Sequence, residues 1–212
     1  HMAGFVNKFY SLGYNVLAAD ARAHGDSEGT KIGMGWPERF DVIEWIKLII
    51  SWEPNAQIIL HGVSMGAATV LMASGEELPE NVKAIIADCG YTSEWDEFKC
   101  EANALHIPWF PVLNAASVMS KLRDGYDFKQ ASALEQVKQS RIPTLFIHGS
   151  DDELVPYSML DKLYSAAVCK KECLTVNGAG HALSSSVEPE LYWNTVESFI
   201  EKYSEKYKST IN

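Results

Sequence analysis

The sequence predicts an α/β fold: a mostly parallel, doubly wound sheet with a helical insertion. Two observations lead to this prediction. Short apolar runs alternate with stretches of helical periodicity, which is the pattern of βαβ units. Most of the runs are continuously apolar rather than alternating, as is typical of parallel strands that are buried on both faces.

Five predicted strands follow one another along the chain. They are residues 15–20 (NVLAAD), 57–61 (QIILH), 82–88 (VKAIIAD), 144–148 (TLFIH) and 172–176 (ECLTV). Because helical patterns separate them, neighbouring strands are expected to run parallel.

Four predicted helices lie between these strands or follow the last of them. The first begins at Pro37 and reaches about Trp52, and its apolar face consists of Phe40, Ile43, Ile46 and Ile50. The second covers residues 67–75, and the third is marked by Leu160, Leu163, Tyr164 and Ala167. The last begins at Pro189, and its apolar face consists of Tyr192, Val196, Phe199 and Tyr203. The spacing of three to four residues places each apolar set on one side of its helix.

Residues 91–133 are predicted to form a helical cap above the sheet, because the interval between the third and fourth strands is too long for a structureless loop. Three apolar residues of the cap, Trp109, Phe110 and Leu113, are predicted to bind the substrate. The alternative is that these side chains only pack against one another. Residues 3–212 are predicted to be one domain that contains this insertion, and residues 1–2 resemble a cloning remnant.

The charge of the chain argues against two classes of partner. The sequence contains 28 acidic and 18 basic residues, so the formal net charge is −10. Such an excess of acid argues against binding to nucleic acid and against binding to an anionic membrane surface. No apolar run approaches the length of a membrane span, and the N-terminus shows no signal-peptide pattern.

The cysteines give no indication of a metal or a disulfide. Cys89, Cys100, Cys169 and Cys173 match no zinc-binding spacing and are expected to be free thiols. Free thiols favour a cytoplasmic location. Neither a metal nor a cofactor is predicted.

Residues 62–66 (GVSMG) form a G-x-S-x-G motif between a predicted strand and a predicted helix. A nucleophile elbow requires this context. The turn is so sharp that side chains two residues before and after the serine would collide. We infer that this is why glycine occupies both positions, Gly62 and Gly66. The turn also exposes the hydroxyl of Ser64 and points the N–H groups of the next helix at a developing oxyanion. Ser64 is therefore the predicted nucleophile.

A serine hydroxyl needs an adjacent base at neutral pH. Of the six histidines, His181 lies in a glycine-rich loop between the last predicted strand and the last helix. Such a loop holds an imidazole above the carboxyl ends of the strands, where the sites of α/β proteins form. His181 is the predicted base, and the alternative is a loop residue that caps the last helix.

The third catalytic group is expected to be a carboxylate after residues 144–148. Asp151, Asp152 and Glu153 all qualify by position. The alternative for all three is a solvated acidic turn.

Four motifs together resemble a known superfamily. They are residues 20–27 (DARAHGDS), 62–66 (GVSMG), 148–156 (HGSDDELVP) and 178–181 (GAGH). In this combination and order the chain resembles the α/β-hydrolase superfamily, specifically its bacterial esterase-like and serine-peptidase-like branch. The resemblance places the acid of the triad on Asp152 and implies that the backbone N–H of Met65 binds the oxyanion.

Two departures from the family pattern carry further expectations. Ala23 stands where the family usually has glycine. The chain begins near the family's first helix, here residues 3–12, without the preceding strands and the loop that supplies a second oxyanion donor. We therefore expect either that residues 15–20 pair directly with residues 57–61 or that a homodimer forms through the sheet edge. Because one backbone donor to the oxyanion is then lost, we also expect turnover to be about 10²- to 10³-fold lower than that of a full-length relative.

The predicted function is that of a serine hydrolase that cleaves a small-molecule carboxylic ester through a Ser-His-Asp triad and an acyl-enzyme intermediate. The aromatic residues of the cap favour an apolar acyl or alcohol group. Two alternatives stay open: a peptidase or amidase with the same triad, and a weakly active or inactive interaction protein on a hydrolase scaffold.

Overall fold

A four-stranded parallel sheet lies at the centre of the fold. In this computed structural model, which describes residues 2–204, the strands are β1 (Ile58–Val63), β2 (Val82–Asp88), β3 (Thr144–Gly149) and β4 (Lys171–Val176). Their order in the sheet follows the chain, and all neighbouring pairs are parallel. Helical crossovers join the strands, as parallel pairing requires. The predicted α/β class is confirmed.

Burial differs between the central and the edge strands. Every residue of β3 is buried, and so is all of β2 except Lys83. In the edge strand β1 buried and half-buried residues alternate, and β4 is more exposed still. Helices cover the middle of a sheet more fully than its edges, so the prediction of strands buried on both faces is right for β2 and β3 and wrong for β1 and β4.

The described part of the chain contains the following helices. They are α1 (Met2–Ser11), α2 (Glu38–Trp52), α3 (Met65–Ala73), α4 (Glu94–Ala104), α5 (Trp109–Asp124), α6 (Ala133–Val137), α7 (Ser158–Ala166), α8 (Ser184–Val187) and α9 (Pro189–Tyr203). Helix α3 packs against β1 and β2, α7 packs against β3, and α9 packs against β2 and β4. No helix within residues 2–204 is long and apolar enough to cross a membrane.

The predicted apolar face is right for the last helix, α9, and only partly right for α2. In α9, Tyr192, Val196 and Phe199 are buried in the core. In α2, Ile46 is buried but the side chain of Phe40 is 49% exposed. Position within a helical repeat alone does not say how far the neighbouring elements extend over each turn.

The interval between β2 and β3 is helical, as predicted, and contains α4 and α5. Its two ends meet: Ser93 and Ser132 form an antiparallel bridge, and the N–H of Glu94 donates to Ala131 O at 2.9 Å. The Ser93 hydroxyl caps α4 by accepting from the N–H of Asp96 at 3.1 Å. The cap bounds 91–133 stay a prediction, and this closure lies just inside them.

Of the described residues, those up to Ile32 form one compact unit and those from Gly33 to Ser204 form another. In the first unit residues 15–20 form no strand, so that prediction is wrong, as is the expected pairing of this segment with β1. A strand needs a partner strand for its ladder of hydrogen bonds. Within residues 2–204 no strand pairs with this segment, and a single strand of six residues is not stable on its own. The proposed homodimer stays a prediction.

Asp20 instead organises a turn. Its carboxylate accepts from the N–H of Asp26 at 3.1 Å, and its carbonyl accepts from the hydroxyl of Ser27 at 2.7 Å. Within this turn Ala23 adopts a φ of 60°, a left-handed conformation that favours glycine. A left-handed backbone at this position explains why the family pattern usually has glycine there.

Candidate active site

Ser64 lies on a strained turn between β1 and α3. Its φ of 56° and ψ of −119° are unusual for any residue with a side chain, and its N–H donates to Asp88 O at 2.8 Å. A Cβ at Gly62 would lie 2.2 Å from Gly66 O, so only glycine fits there. A Cβ at Gly66 would meet no described atom within 4 Å. The steric interpretation of the motif is therefore right for Gly62 and wrong for Gly66.

Three predicted residues meet above the carboxyl ends of the strands. Ser64 follows β1, Asp152 follows β3, and His181 follows β4. His181 Nε2 lies 2.8 Å from Ser64 Oγ, and His181 Nδ1 lies 2.8 Å from Asp152 Oδ2. The three side chains thus form one continuous hydrogen-bonded chain from carboxylate to hydroxyl.

The neighbouring carboxylate that also qualified by sequence points elsewhere. Asp151 is exposed, and its Oδ1 accepts from the hydroxyl of Ser150 at 2.6 Å. Asp152 is buried, and its Oδ1 accepts from the N–H groups of Leu154 at 3.0 Å and Val155 at 2.9 Å. The turn after β3 therefore anchors one oxygen of Asp152 and leaves the other for His181.

The environment of Asp152 keeps its carboxylate ionised. Burial by itself raises the pKa of Asp152, but hydrogen bonds from His148, His181 and the N–H of Val155 outweigh it and hold the pKa well below its usual range. The pKa of His181 is raised, chiefly by its hydrogen bond to Asp152 and against the effect of partial burial. This pair is therefore arranged to stabilise an imidazolium.

His148 is a part of the site that sequence reasoning placed only at a strand end. It is fully buried, and its Nε2 lies 2.9 Å from Val155 O and 3.3 Å from Asp152 Oδ2. Since both of these oxygens are acceptors, Nε2 carries the proton. The sequence could have indicated this role, because His148 is the first residue of the H-G-x-x-D motif whose last residue is Asp152.

Glu97 on α4 was not predicted to belong to the site. It is 3% exposed, and its Oε2 accepts no hydrogen bond within the described residues. Burial, and then the charge of Glu101, raise the pKa of Glu97 to about 7. The charge of Glu97 in turn raises the pKa of His181. No motif marks Glu97, since its role depends on how the helical insertion folds over the site.

One cluster of side chains has the composition of a metal site. Cys89 Sγ, a carboxylate oxygen of Asp152 and a ring nitrogen of His181 all lie within 4.8 Å of one another. Burial and the nearby charges of Asp88 and Asp152 raise the pKa of the Cys89 thiol, which keeps it protonated, whereas a metal requires the thiolate. Asp152 and His181 already hydrogen-bond each other, so this geometry suits a triad better than a metal.

The predicted oxyanion and substrate residues have the following places. Met65 is the first residue of α3, so its N–H has no acceptor within that helix. Trp109 lies edge-on to Trp95 and Phe110, at centroid distances of 6.4 and 6.2 Å. Leu113 is buried and Phe110 is exposed. These contacts are the ones expected from mutual packing, and substrate binding by Trp109, Phe110 and Leu113 stays a prediction.

Comparison with known sequences assigns the chain to a family. The sequence profile of the Prolyl oligopeptidase family matches residues 7–206, nearly the whole chain. The chain belongs to the prolyl oligopeptidase family. All three members of the hydrogen-bonded chain lie within the matched region of this prolyl oligopeptidase family member.

Two curated relatives of this family member are similar in sequence. The protein YqkD of Bacillus subtilis (strain 168) is 31% identical over 199 residues, which are 93% of this chain and 65% of YqkD. Lysophosphatidylserine lipase ABHD12 of Macaca fascicularis is 31% identical over 158 residues, which are 74% of this chain and 39% of the lipase. The chain thus spans less than two thirds of the length of either relative.

Solved structures confirm the expected α/β-hydrolase fold. The esterase Pf2001 of Pyrococcus furiosus superposes with a TM-score of 0.77 at 24% identity, covering 96% of this chain and 76% of the esterase. The acylaminoacyl peptidase of Pyrococcus horikoshii gives a TM-score of 0.60 at 18% identity, covering 84% of this chain and 29% of the peptidase. At these identities the likeness shows the fold of this prolyl oligopeptidase family member.

Proposed function

We propose that this chain hydrolyses carboxylic esters through a Ser-His-Asp triad and an acyl-enzyme intermediate. The observation that carries the proposal is the unbroken series of hydrogen bonds from Asp152 through His181 to Ser64, with 2.8 Å at each step. A nucleophile, a base and a group that orients the base are what acyl transfer to serine requires. The ring of His181 has one nitrogen toward each partner, so a single tautomer serves both contacts.

The geometry supports a defined sequence of proton movements. Ser64 Oγ attacks the ester carbonyl carbon while its proton passes to His181 Nε2. Asp152 holds the ring in place and stabilises the imidazolium, and the N–H of Met65 donates to the developing oxyanion. The C–O bond then breaks, the alkoxide leaves with the proton from Nε2, and an acyl ester remains on Ser64. Water repeats these steps on the acyl-enzyme and releases the acid.

Two comparisons favour an ester as the substrate. The curated relative that shares 31% identity with this chain over 158 residues is a lipase, and the structure with a TM-score of 0.77 is that of an esterase. Lipase and esterase are both names for ester-cleaving enzymes. A small-molecule ester with an apolar acyl or alcohol group is the substrate class that we propose.

A peptidase or amidase is the second candidate. The family is named for its oligopeptidases, and one structural neighbour is an acylaminoacyl peptidase. The same triad cleaves amides, provided that His181 protonates the departing nitrogen. The difference between the two candidates lies in the leaving group, not in the residues that carry the chemistry.

A fluorophosphonate probe tests the nucleophile directly. We expect the probe to label the wild-type protein on Ser64 and to leave Ser64→Ala unlabelled, with Ser74→Ala as a matched control that is labelled normally. Initial rates with p-nitrophenyl acetate and with an aminoacyl p-nitroanilide then separate the two candidates. An unlabelled wild-type protein would rule out the serine hydrolase, and faster anilide cleavage would favour the peptidase.

A further inference from the structure

A ring of polar contacts encloses the turn that carries the nucleophile. On the main chain, the N–H of Ser64 donates to the carbonyl oxygen of Asp88, the last residue of β2, at 2.8 Å. On the side chains, Tyr192 donates a hydrogen bond to the Asp88 carboxylate, and the Tyr192 hydroxyl lies 3.3 Å from His61 Nε2. His61 lies three residues before Ser64, so these contacts close into a ring. Ser64, Asp88, Tyr192 and His61 are called the elbow ring below.

The elbow ring joins three elements that are far apart in the chain. Strand β1 contributes His61, β2 contributes Asp88, and the first turn of α9 contributes Tyr192. Asp88 is 1% exposed and Tyr192 is fully buried. Water therefore does not compete for the bond between them, and its loss would leave a buried carboxylate without this donor.

The protonation states within the elbow ring favour one direction of hydrogen bonding. Burial lowers the pKa of His61 to about 4 and raises the pKa of Tyr192, so at neutral pH the imidazole is neutral and the phenol keeps its proton. Burial raises the pKa of Asp88 to about 6, against the hydrogen bond from Tyr192, so Asp88 is still mostly ionised. An ionised carboxylate only accepts, so Tyr192 donates to Asp88 and its oxygen is left to accept from His61.

The backbone that the ring encloses is strained at two points. Ser64 has a φ of 56°, and Cys89, directly after Asp88, has a φ of 48°. Such conformations persist where the surrounding structure enforces them. The carbonyl of Asp88 orients the N–H of Ser64, and the contacts of Tyr192 hold Asp88 in place relative to β1. The distance of 2.8 Å between Ser64 Oγ and His181 Nε2 depends on where this turn lies.

We propose that Tyr192 and His61 are positioning residues for the nucleophile, which act on Ser64 through Asp88. This role rests on the proposed function, since it concerns the attack by Ser64. The alternative is a buried network that only stabilises the fold. A displaced Ser64 slows the chemical step, because small departures from the geometry of attack are costly, whereas a loss of stability alone leaves kcat of the folded protein unchanged.

Removal of a single hydroxyl tests the proposal. We expect Tyr192→Phe to lower both kcat and the rate constant for labelling of Ser64 by a fluorophosphonate about 10- to 100-fold, with KM little changed. Tyr91→Phe is the matched control, because Tyr91 is also buried and its hydroxyl also makes a hydrogen bond, to Met34 O at 2.9 Å. Both variants should lower the urea midpoint of unfolding, but Tyr91→Phe should keep the wild-type kcat.

Two substitutions at His61 test the other end of the side-chain contacts. His61→Phe removes the donor and should lower kcat as Tyr192→Phe does. His61→Gln places an amide N–H near the position of Nε2 and should recover most of the loss. The double variant of His61→Phe and Tyr192→Phe should lose little more than either single variant, since each change breaks the same ring.

The outcomes distinguish failure of this role from failure of the proposed function. If the probe labels the wild type and labels Tyr192→Phe as fast as Tyr91→Phe, the positioning role is wrong and the hydrolase stands. A change confined to KM, or equal losses in His61→Phe and His61→Gln, would also overturn the role. A wild-type protein that the probe does not label would overturn the proposed function and this role together.

Discussion

His148 Nε2 lies 3.3 Å from Asp152 Oδ2, the same carboxylate oxygen that His181 Nδ1 reaches at 2.8 Å. The imidazole of His148, in β3, and that of His181, in the loop after β4, thus converge on one atom. His148 is fully buried, whereas His181 is half-buried and faces the nucleophile. We propose that His148 positions the acid of the proposed triad and does not itself touch the substrate.

Replacement of His148 tests that role. We expect His148→Phe to lower kcat about 10- to 100-fold with KM little changed, because Asp152 loses a donor and holds His181 less firmly. His148→Gln, which keeps an N–H donor, should recover most of the loss. Steady-state kinetics on a soluble p-nitrophenyl ester measure both parameters. A loss of the same size in the two variants, or a change confined to KM, would contradict the positioning role.

Asp152 and Asp151 form a natural matched pair. We expect Asp152→Asn to lower kcat about 10⁴-fold, since an amide no longer enforces the tautomer of His181 or stabilises its cation. Asp151→Asn should change kcat less than about threefold, because the exposed carboxylate of Asp151 accepts only from Ser150 among the bonds described. The two kcat values decide the matter, and similar losses would overturn the choice of Asp152.

The charge of Glu97 should appear in the pH dependence of hydrolysis. The base must be neutral to accept a proton, so kcat/KM falls as the pH drops through the pKa of His181. The Glu97 carboxylate raises that pKa, and its removal lowers it. We therefore expect Glu97→Gln to move the acid limb of kcat/KM to lower pH.

Glu135→Gln is the control for this shift, because Glu135, on α6, is exposed and pairs with Lys138 just after that helix. Its acid limb should coincide with that of the wild type. The same displacement in both variants would mean that net charge, rather than the position of Glu97, sets the limb. A displacement of Glu97→Gln toward higher pH would contradict the sign of the interaction.

Ala23 stores backbone strain that glycine would relieve. Its φ of 60° is a left-handed conformation, which is energetically unfavourable for a residue that has a Cβ. We expect Ala23→Gly to raise the free energy of unfolding by about 1 kcal/mol. Ala21→Gly, two residues earlier and without a positive φ, should instead lower it by about 0.5–1 kcal/mol through chain entropy. Urea denaturation measures both, and the same sign for the two variants would refute the strain argument.

Sequence and structure agree most closely where a local pattern carries the information. One short segment contains the information for the turn at Ser64, the strand before it and the helix after it, so all three were predicted correctly. Gly66 shows the limit of even this motif, because the space around it depends on atoms that the motif does not contain. Residues 15–20 have the composition of a strand, but within residues 2–204 no strand pairs with them.

By itself, the sequence determined the α/β class, the strands β1 to β4, the helices α2, α3, α7 and α9, and the three residues that form the hydrogen-bonded chain, since each follows from local periodicity or a short motif. Only the tertiary structure decided that His148 shares the oxygen of Asp152, that Glu97 is buried where it acts on His181, and that α5 turns its apolar side outward. The physical reason is that burial, electrostatic coupling and ladder pairing are properties of neighbours in space. Those neighbours lie far apart in the chain, so no local pattern specifies them.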